Sequence, residues 1–549
     1  NAVGGTINII TKDPVSNSFQ VSSTMSNVNG DTWEQYMGAN ASLVSKDNVY
    51  GIAVYQSYRN RNPYDVDGDS FSEIGKLNMN TFGLRAYYRP TQFSRLNIEY
   101  HTTNEFRRGG NKFDLEPFES DITEQTKHVI NSGGLTYDLF WKEYKHKLSF
   151  FASSQHVDRN SYYGAQQDPN AYGKTKDLTF VGGGMYVGNF DKVLFSPATF
   201  TAGMEYQHNK MHDIMAGYNR DLEQKVRIAS AFFQNEWKMN DFTLLAGFRL
   251  DDHNLIDNLI FSPRVNMLYK PSDAFQGRLT WSTGFRAPQA YDEDLHITAV
   301  GGEGVLIHLA DGLKPEKSNS FSGSVDLSGQ IGHFQTNLLI EGFYTSLKDV
   351  FYLQNVGVDN QGNSLQERCN GSGAKVYGVN IDGKIAHGRD ASLQVGFTVQ
   401  RSRYDELTYW SEDESVAGTK NMPRTPNCYG YFTFTAAPFR NFDFSLSGIY
   451  TGRMHVPHFA PTDEIPVDFP YSYIKQDELV HTPDFFDFNA KLNYTFVLNE
   501  HLKLQVNGGV QNIFNAFQKD LDKGTYRDSG YFYGPTQPRT YFIGIKLFN

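Results

Sequence analysis

Phe242-Thr243-Leu244-Leu245-Ala246-Gly247-Phe248-Arg249-Leu250-Asp251 has two unlike faces. One carries Phe242, Leu244, Ala246, Phe248 and Leu250; the other ends in Gly247, Arg249 and Asp251. A period of two is the mark of a strand whose faces meet different surroundings. The next stretch repeats it, with Phe261, Pro263, Val265, Met267 and Tyr269 against Ser262, Arg264, Asn266 and Leu268. Phe200, Ala202, Met204 and Tyr206 alternate with Thr201, Gly203, Glu205 and Gln207, and Phe82, Leu84, Ala86 and Tyr88 with Gly83, Arg85, Tyr87 and Arg89. Either lipid or a second sheet could cover such an apolar face, so alternation alone leaves a soluble sandwich open.

The connections separate the two. The pattern predicts strands near 17–29, 33–44, 48–60, 77–90, 94–104, 126–140, 143–158, 174–190, 197–210, 226–239 and 241–254. It continues at 258–271, 276–286, 316–328, 333–347, 374–388, 390–405, 426–437, 441–452, 483–498, 500–513 and 539–549, which makes 22 segments. Links after even-numbered strands are short, as in Ser45-Lys46-Asp47 and His387-Gly388-Arg389-Asp390. Links after odd-numbered strands are mostly long: 60–76, 105–125, 159–173, 211–225, 287–315, 348–373, 406–425, 453–482 and 514–538. Short turns on one rim and long loops on the other are the outer-membrane barrel pattern. A sandwich has no reason to sort its loops by parity. The fold class expected is therefore all-β, a 22-stranded antiparallel transmembrane β-barrel.

Composition agrees. The 549 residues have room for three or four soluble domains, yet 15% are aromatic while only 39% are hydrophobic. No stretch approaches 18 consecutive apolar residues, which excludes a helical span but not a barrel strand. A net charge of −11 disfavours a nucleic-acid partner. Two cysteines, Cys369 and Cys428, exclude a disulfide scaffold and a four-thiolate metal site. Both map to the outer side, where a disulfide or two free thiols fit equally well. No Gly-rich phosphate loop, nucleophile elbow or arguable triad occurs, so an enzyme is not expected.

A barrel of 22 strands is too wide for wall side chains to fill, and such barrels are plugged transporters. Asn1-Ala2-Val3-Gly4-Gly5-Thr6-Ile7-Asn8-Ile9-Ile10-Thr11-Lys12 precedes the first wall strand and lacks alternation at Ile9-Ile10, as a strand buried on both faces would. Residues 1–15 are therefore expected to end a plug domain and 16–549 to form the barrel, with the rest of the plug upstream.

Several motifs carry a resemblance. The opening twelve residues resemble the last plug strand of TonB-dependent outer-membrane receptors. Phe233-Gln234-Asn235-Glu236-Trp237 ahead of Gly247-Phe248-Arg249-Leu250-Asp251 is similar to that family's mid-barrel pattern, and Gly284-Phe285-Arg286-Ala287-Pro288 with Leu313-Lys314-Pro315-Glu316-Lys317-Ser318 is its most recognisable pair. The end, from Gln511-Asn512-Ile513-Phe514-Asn515 through Tyr533-Gly534-Pro535 to Pro538-Arg539-Thr540-Tyr541-Phe542-Ile543-Gly544, resembles its C-terminal region, in a Bacteroidetes-type style. The resemblance implies active import of a scarce nutrient across the bacterial outer membrane: a ferric siderophore first, with cobalamin or haem as alternatives. It implies TonB, engaged through the missing N-terminal region, and a surface lipoprotein as partners, with outer-membrane lipid around the wall. A passive channel or a surface-binding protein is the alternative of another class. No cofactor is required.

Candidate ligand residues lie in the loops and lumen. Tyr162, Tyr163, Tyr172, Tyr404 and Trp410 offer rigid aromatic area for capture, or form the aromatic girdle of any barrel. Arg286, before Pro288, ends a strand and reads chiefly as a strand-to-loop anchor; His296 and His308 follow it. Met454-His455-Val456-Pro457-His458 is the densest soft-ligand cluster, with His455 and His458 as haem candidates or ordinary polar loop residues. Arg85, Arg249, Arg264 and Arg278 face the lumen, suited to anionic chelates or to pairing with the plug. Asp65, Asp67 and Asp69 around Gly68, with Glu73, gather the oxygens that calcium needs, although Asp-Gly is also an ordinary turn.

Overall fold

Ser18–Val28 pairs with Thr32–Val44 on one side and with Thr540–Phe548 on the other, so the sheet closes on itself. In the computed structural model, residues 13–288, 305–358, 360, 364–411, 413, 415–461, 464–535 and 537–549 are described. All 22 anticipated segments are strands, each antiparallel to its neighbours, from Ser18–Val28 to Thr540–Phe548. Closure leaves no wall strand with an unpaired edge, which the hydrocarbon of a membrane demands. At the seam, the side-chain oxygen of Asn549 accepts the backbone N–H of Phe19 at 2.7 Å.

Seven consecutive strands, Ser72–Thr91 to Arg220–Met239, run 17 to 22 residues and exceed their expected lengths. A bilayer needs only about 9–11 tilted residues, so these hairpins stand clear of it on the long-loop side. Much of the expected loops 105–125, 159–173 and 211–225 is therefore paired ladder. Above the membrane both faces of a hairpin meet water or other loops, so the apolar alternation that reveals a wall strand fades there.

Other loops fold on one another. Val305–Leu309 runs parallel to Ser364–Asn370, which also pairs with Phe351–Val358. His455–His458 and Glu478–His481 make a two-stranded hairpin. The wall itself has no central core. Its outer face is exposed Phe, Leu, Ile and Tyr for lipid, and the fully packed residues sit in small clusters under the loops. These are Tyr162 with Ala171, Met215 and Tyr218; Val456 with Phe485, Tyr531 and Tyr533; and Val28 with Tyr64 and Ile74.

On the lumen face, opposed strand positions assemble a belt of paired charges. Arg85 bonds Glu99 and Asp13, Asp13 also takes Arg95 at 2.6 Å, and Arg249 reaches Glu205 at 2.9 Å and Asp251 at 2.7 Å. Asp13 thus ties the segment ahead of the first strand to the inner wall. Residues 1–12, the expected plug strand, lie outside the described residues.

Candidate functional site

The acidic turn and the last long loop define the outer mouth. Asp65 organises its own turn: one carboxylate oxygen accepts the N–H groups of Asp67 and Gly68 at 3.1 and 2.7 Å, and the other that of Ser70 at 2.7 Å. This is Asx-turn chemistry. Asp69 points the other way, bonding the Arg527 guanidinium and the backbone N–H of Gly524. Glu73 divides its oxygens between Arg527 at 2.9 Å and the N–H of Val66 at 2.8 Å. The four acids anticipated as one set therefore separate, because Arg527 claims Asp69. Ligand oxygens of Asp65, Asp67 and Glu73 remain within 4.8 Å of one another. Both Asp67 carboxylate oxygens are buried without a hydrogen-bond partner, and Lys523 Nζ lies 3.7 Å from one of them. Burial, with the Asp69 and Glu73 charges adding to it, pushes the Asp67 carboxyl up to about 6. This trio is a fit for a hard cation, whose charge would relieve that cost.

The histidine cluster does not converge. In the hairpin His455–His458 the two imidazoles take separate partners. His455 faces His481, ring centroids 4.9 Å apart, and burial together with that neighbour holds it below its ordinary value. His458 is buried, stacks on Tyr531 and donates from Nε2 to Asp522 at 2.9 Å. Burial alone would lower it, but Asp522, Asp528 and Glu478 outweigh that and hold it above the ordinary histidine value. His458 is thus a loop-to-loop tie. His308 is exposed on the accessory strand Val305–Leu309, and His296 lies outside the described residues.

The aromatic candidates separate as well. Tyr162 is fully buried, its hydroxyl donating to the Asp168 carbonyl at 2.9 Å, and Tyr172 meets its ring edge-on at 4.8 Å. Long strand extensions place Tyr162 within a packed cluster, so it presents no surface to a ligand, whereas Tyr172 stays exposed. Tyr163, also buried, lines the cavity described next. Tyr404 sits on the wall strand Ala391–Thr408, paired with Ala374. Trp410 lies 5.9 Å from Phe459, and its indole N–H is buried without a partner. Arg286 ends its strand 3.8 Å from Glu316 and over the Phe351 ring, as an anchor would. Cys369 and Cys428 are both free thiols.

A cavity of about 510 Å³ opens between the extended hairpins and the last loop. Its wall includes Arg61, Lys76, Arg107, Tyr163, Arg527 and Tyr531. Arg61 reaches Glu34, Arg527 is held by two acids and the mostly exposed Arg107 bonds Glu105 at 2.9 Å, whereas Lys76 has no ion-pair partner among the described residues; Glu73, Glu124, Asp522 and Asp528 share the lining. Such a surface can receive an anion with aromatic character. The sequence reading passed over Asp520, Asp522, Lys523, Arg527, Tyr531 and Tyr533. Their signal was the density of alternating charge and tyrosine in 518–533.

The fold defines a closed 22-stranded antiparallel barrel wall of the outer-membrane type. The family model for the TonB-dependent receptor-like β-barrel matches residues 26–513, and the chain belongs to that family of the bacterial outer membrane. Among solved structures, the siderophore receptor PirA from Acinetobacter baumannii superposes with a TM-score of 0.75 at 15% identity, covering 98% of this chain and 81% of that one. A mutant of the ferric enterobactin receptor PfeA from Pseudomonas aeruginosa gives 0.76 at 14%, covering 100% and 83%. The ferric-catecholate import receptor Fiu from E. coli K12 gives 0.69 at 12%, covering 99% and 83%. These identities carry the fold alone. No protein of curated function matches the chain in sequence.

Proposed function

We propose that this receptor imports an anionic iron chelate, captured at its outer mouth and released inward when TonB acts on the plug. The observation that carries the reading is the cavity bearing Lys76, which has no ion-pair partner among the described residues, and the exposed Arg107, paired with Glu105, with Tyr163 and Tyr531 also in its lining. Catecholate and carboxylate chelates are anionic, and catechol rings are planar, which suits cationic and aromatic surfaces. Several structural neighbours bear siderophore or ferric-enterobactin receptor names, which supports the same class. The wall contributes shape and charge, and the inner-membrane proton gradient supplies the energy through TonB.

The test is growth of a deletion strain on single ferric chelates, with uptake of radiolabelled iron. Loss of uptake on one anionic chelate, abolished equally by dissipating the proton gradient, is expected. Uptake that survives dissipation would make the protein a passive channel. A second reading, a corrinoid receptor, draws on the Asp65, Asp67 and Glu73 trio as a calcium-ordered loop. Impairment confined to corrinoid-dependent growth would replace the first reading with this one.

A further inference from the structure

The hairpin that parts His455 from His458 joins His455 to a third histidine. His455–His458 and Glu478–His481 run antiparallel, and the register sets His455 directly opposite His481 and His458 opposite Glu478. One step along, the Thr482 N–H donates to the Met454 carbonyl at 2.9 Å. Hydrogen-bonded and non-hydrogen-bonded pairs alternate in such a ladder, so His455 and His481 form a non-hydrogen-bonded pair, the kind whose side chains stand closer. Alternation also turns Val456 and His458 into the packing around Tyr531. The histidine pair is left on the other side, with His481 exposed and His455 half-buried.

No other side chain claims these two rings. Among the described residues neither imidazole has a hydrogen-bond or ion-pair partner, and the charges that flank them in the chain, Arg453 and Asp484, lie 3.7 Å from each other. The ring centroids are 4.9 Å apart and the planes cross at 53°. An ion about 2.0–2.1 Å from one nitrogen of each ring stands about 3.2 Å from each ring centre, so centres 4.9 Å apart subtend about 100° at it. That is close to a tetrahedral angle, and the exposed His481 is free to turn its ring onto the shared point. Burial and the neighbouring ring favour neutral His455, the form that binds a metal. Imidazole nitrogen suits zinc, nickel and copper, whereas calcium takes oxygen. The pair therefore differs in kind from the acidic turn.

We infer that His455 and His481 form a site for a divalent transition-metal ion of the zinc class. The protein supplies two imidazoles and water completes the shell. The ion fastens the base of the loop between them, which packs on the last loop through Phe459 and Tyr473. The site is separate from chelate capture, and its test involves no uptake. The full receptor, free of any affinity tag and in detergent with calcium present to occupy oxygen sites, is titrated with zinc by calorimetry. Copper(II) at one equivalent is then read by pulsed electron paramagnetic resonance, which counts the imidazoles on the ion. Two imidazoles on one copper ion are expected. His455→Gln and His481→Gln should each leave at most one and weaken zinc at least tenfold, while His308→Gln, on the accessory strand, should change neither. Zinc should slow hydrogen exchange of 455–458 and 478–481 in the parent and not in the two glutamine variants. Where glutamine itself loosens the hairpin, His481→Cys decides, because it restores a ligand and zinc protection should return with it. A single imidazole in the parent overturns the proposal, as does a two-imidazole signal that persists undiminished in either glutamine variant. So does a parent or His481→Cys hairpin whose exchange zinc leaves unchanged.

Discussion

The His458 imidazole lies flat on the Tyr531 ring, centroids 3.7 Å apart and planes within 7°, and its Nε2–H reaches Asp522 at 2.9 Å. Two loops far apart in sequence are joined by that stack. Asp528 adds a second tie, accepting the Phe459 N–H at 3.0 Å, and burial raises its carboxyl above the usual range.

The His458 tie is sensitive to pH. Its carboxylate neighbours raise the folded value above that of an unfolded histidine, about 6.5. The stabilisation is therefore complete below that pH and lost as pH rises through the folded value. Hydrogen exchange of 455–481 and 515–535, followed from pH 6 to 9, should show protection falling as pH rises. His458→Phe keeps the stack and should flatten the profile; an unchanged slope in that variant places the titration elsewhere.

Arg527 holds the last loop on the acidic turn. Its side chain is 11% exposed, and those of its partners Asp69 and Glu73 are 0% and 3% exposed. Removing one member of a buried pair leaves the other uncompensated, a cost of about 3–5 kcal/mol. Arg527→Gln should free the 516–533 segment in hydrogen exchange while the wall strands keep their protection. Asp69→Asn in the same chain should recover part of the loss. No recovery would mean the two residues act independently.

Calcium binding at the trio should follow Asp67. A cation must displace the proton that the raised carboxyl retains up to about pH 6. Calcium affinity, measured by calorimetry, should therefore weaken as pH falls through 6. Asp65→Asn or Glu73→Gln should reduce it at pH 7.5, and a pH-independent affinity would exclude Asp67 as a ligand.

At the mouth, Lys76→Gln and Arg107→Gln test anion capture. A hydrogen bond to a charged group contributes about 1.5–3 kcal/mol, so each change should weaken an anionic ferric chelate about tenfold or more. A neutral chelate should bind both variants as it binds the parent. Equal losses for charged and neutral ligands would assign these residues to loop structure.

Local alternation already contains the wall. Phe242, Leu244, Ala246, Phe248 and Leu250 point to lipid, and the same period in 21 other segments, with turns sorted by parity, makes a closed 22-stranded barrel. Lipid on one side and a polar lumen on the other repeat the pattern residue by residue, so it survives in one dimension. The end of the strand Phe275–Arg286 was legible too, since Pro288 removes a ladder donor. The mouth was not. Tyr162 looks like a loop aromatic until the hairpins are seen to extend, and His458 looks like a metal ligand until Tyr531 and Asp522 arrive. Asp69 belongs to a calcium motif until Arg527, 458 residues away in the chain, takes its carboxylate. Which side chain meets which across that separation is set by closure of the barrel, which brings the first and last loops together. Periodicity determined the wall; closure decided which side chains of the mouth hold one another and which remain open to a ligand.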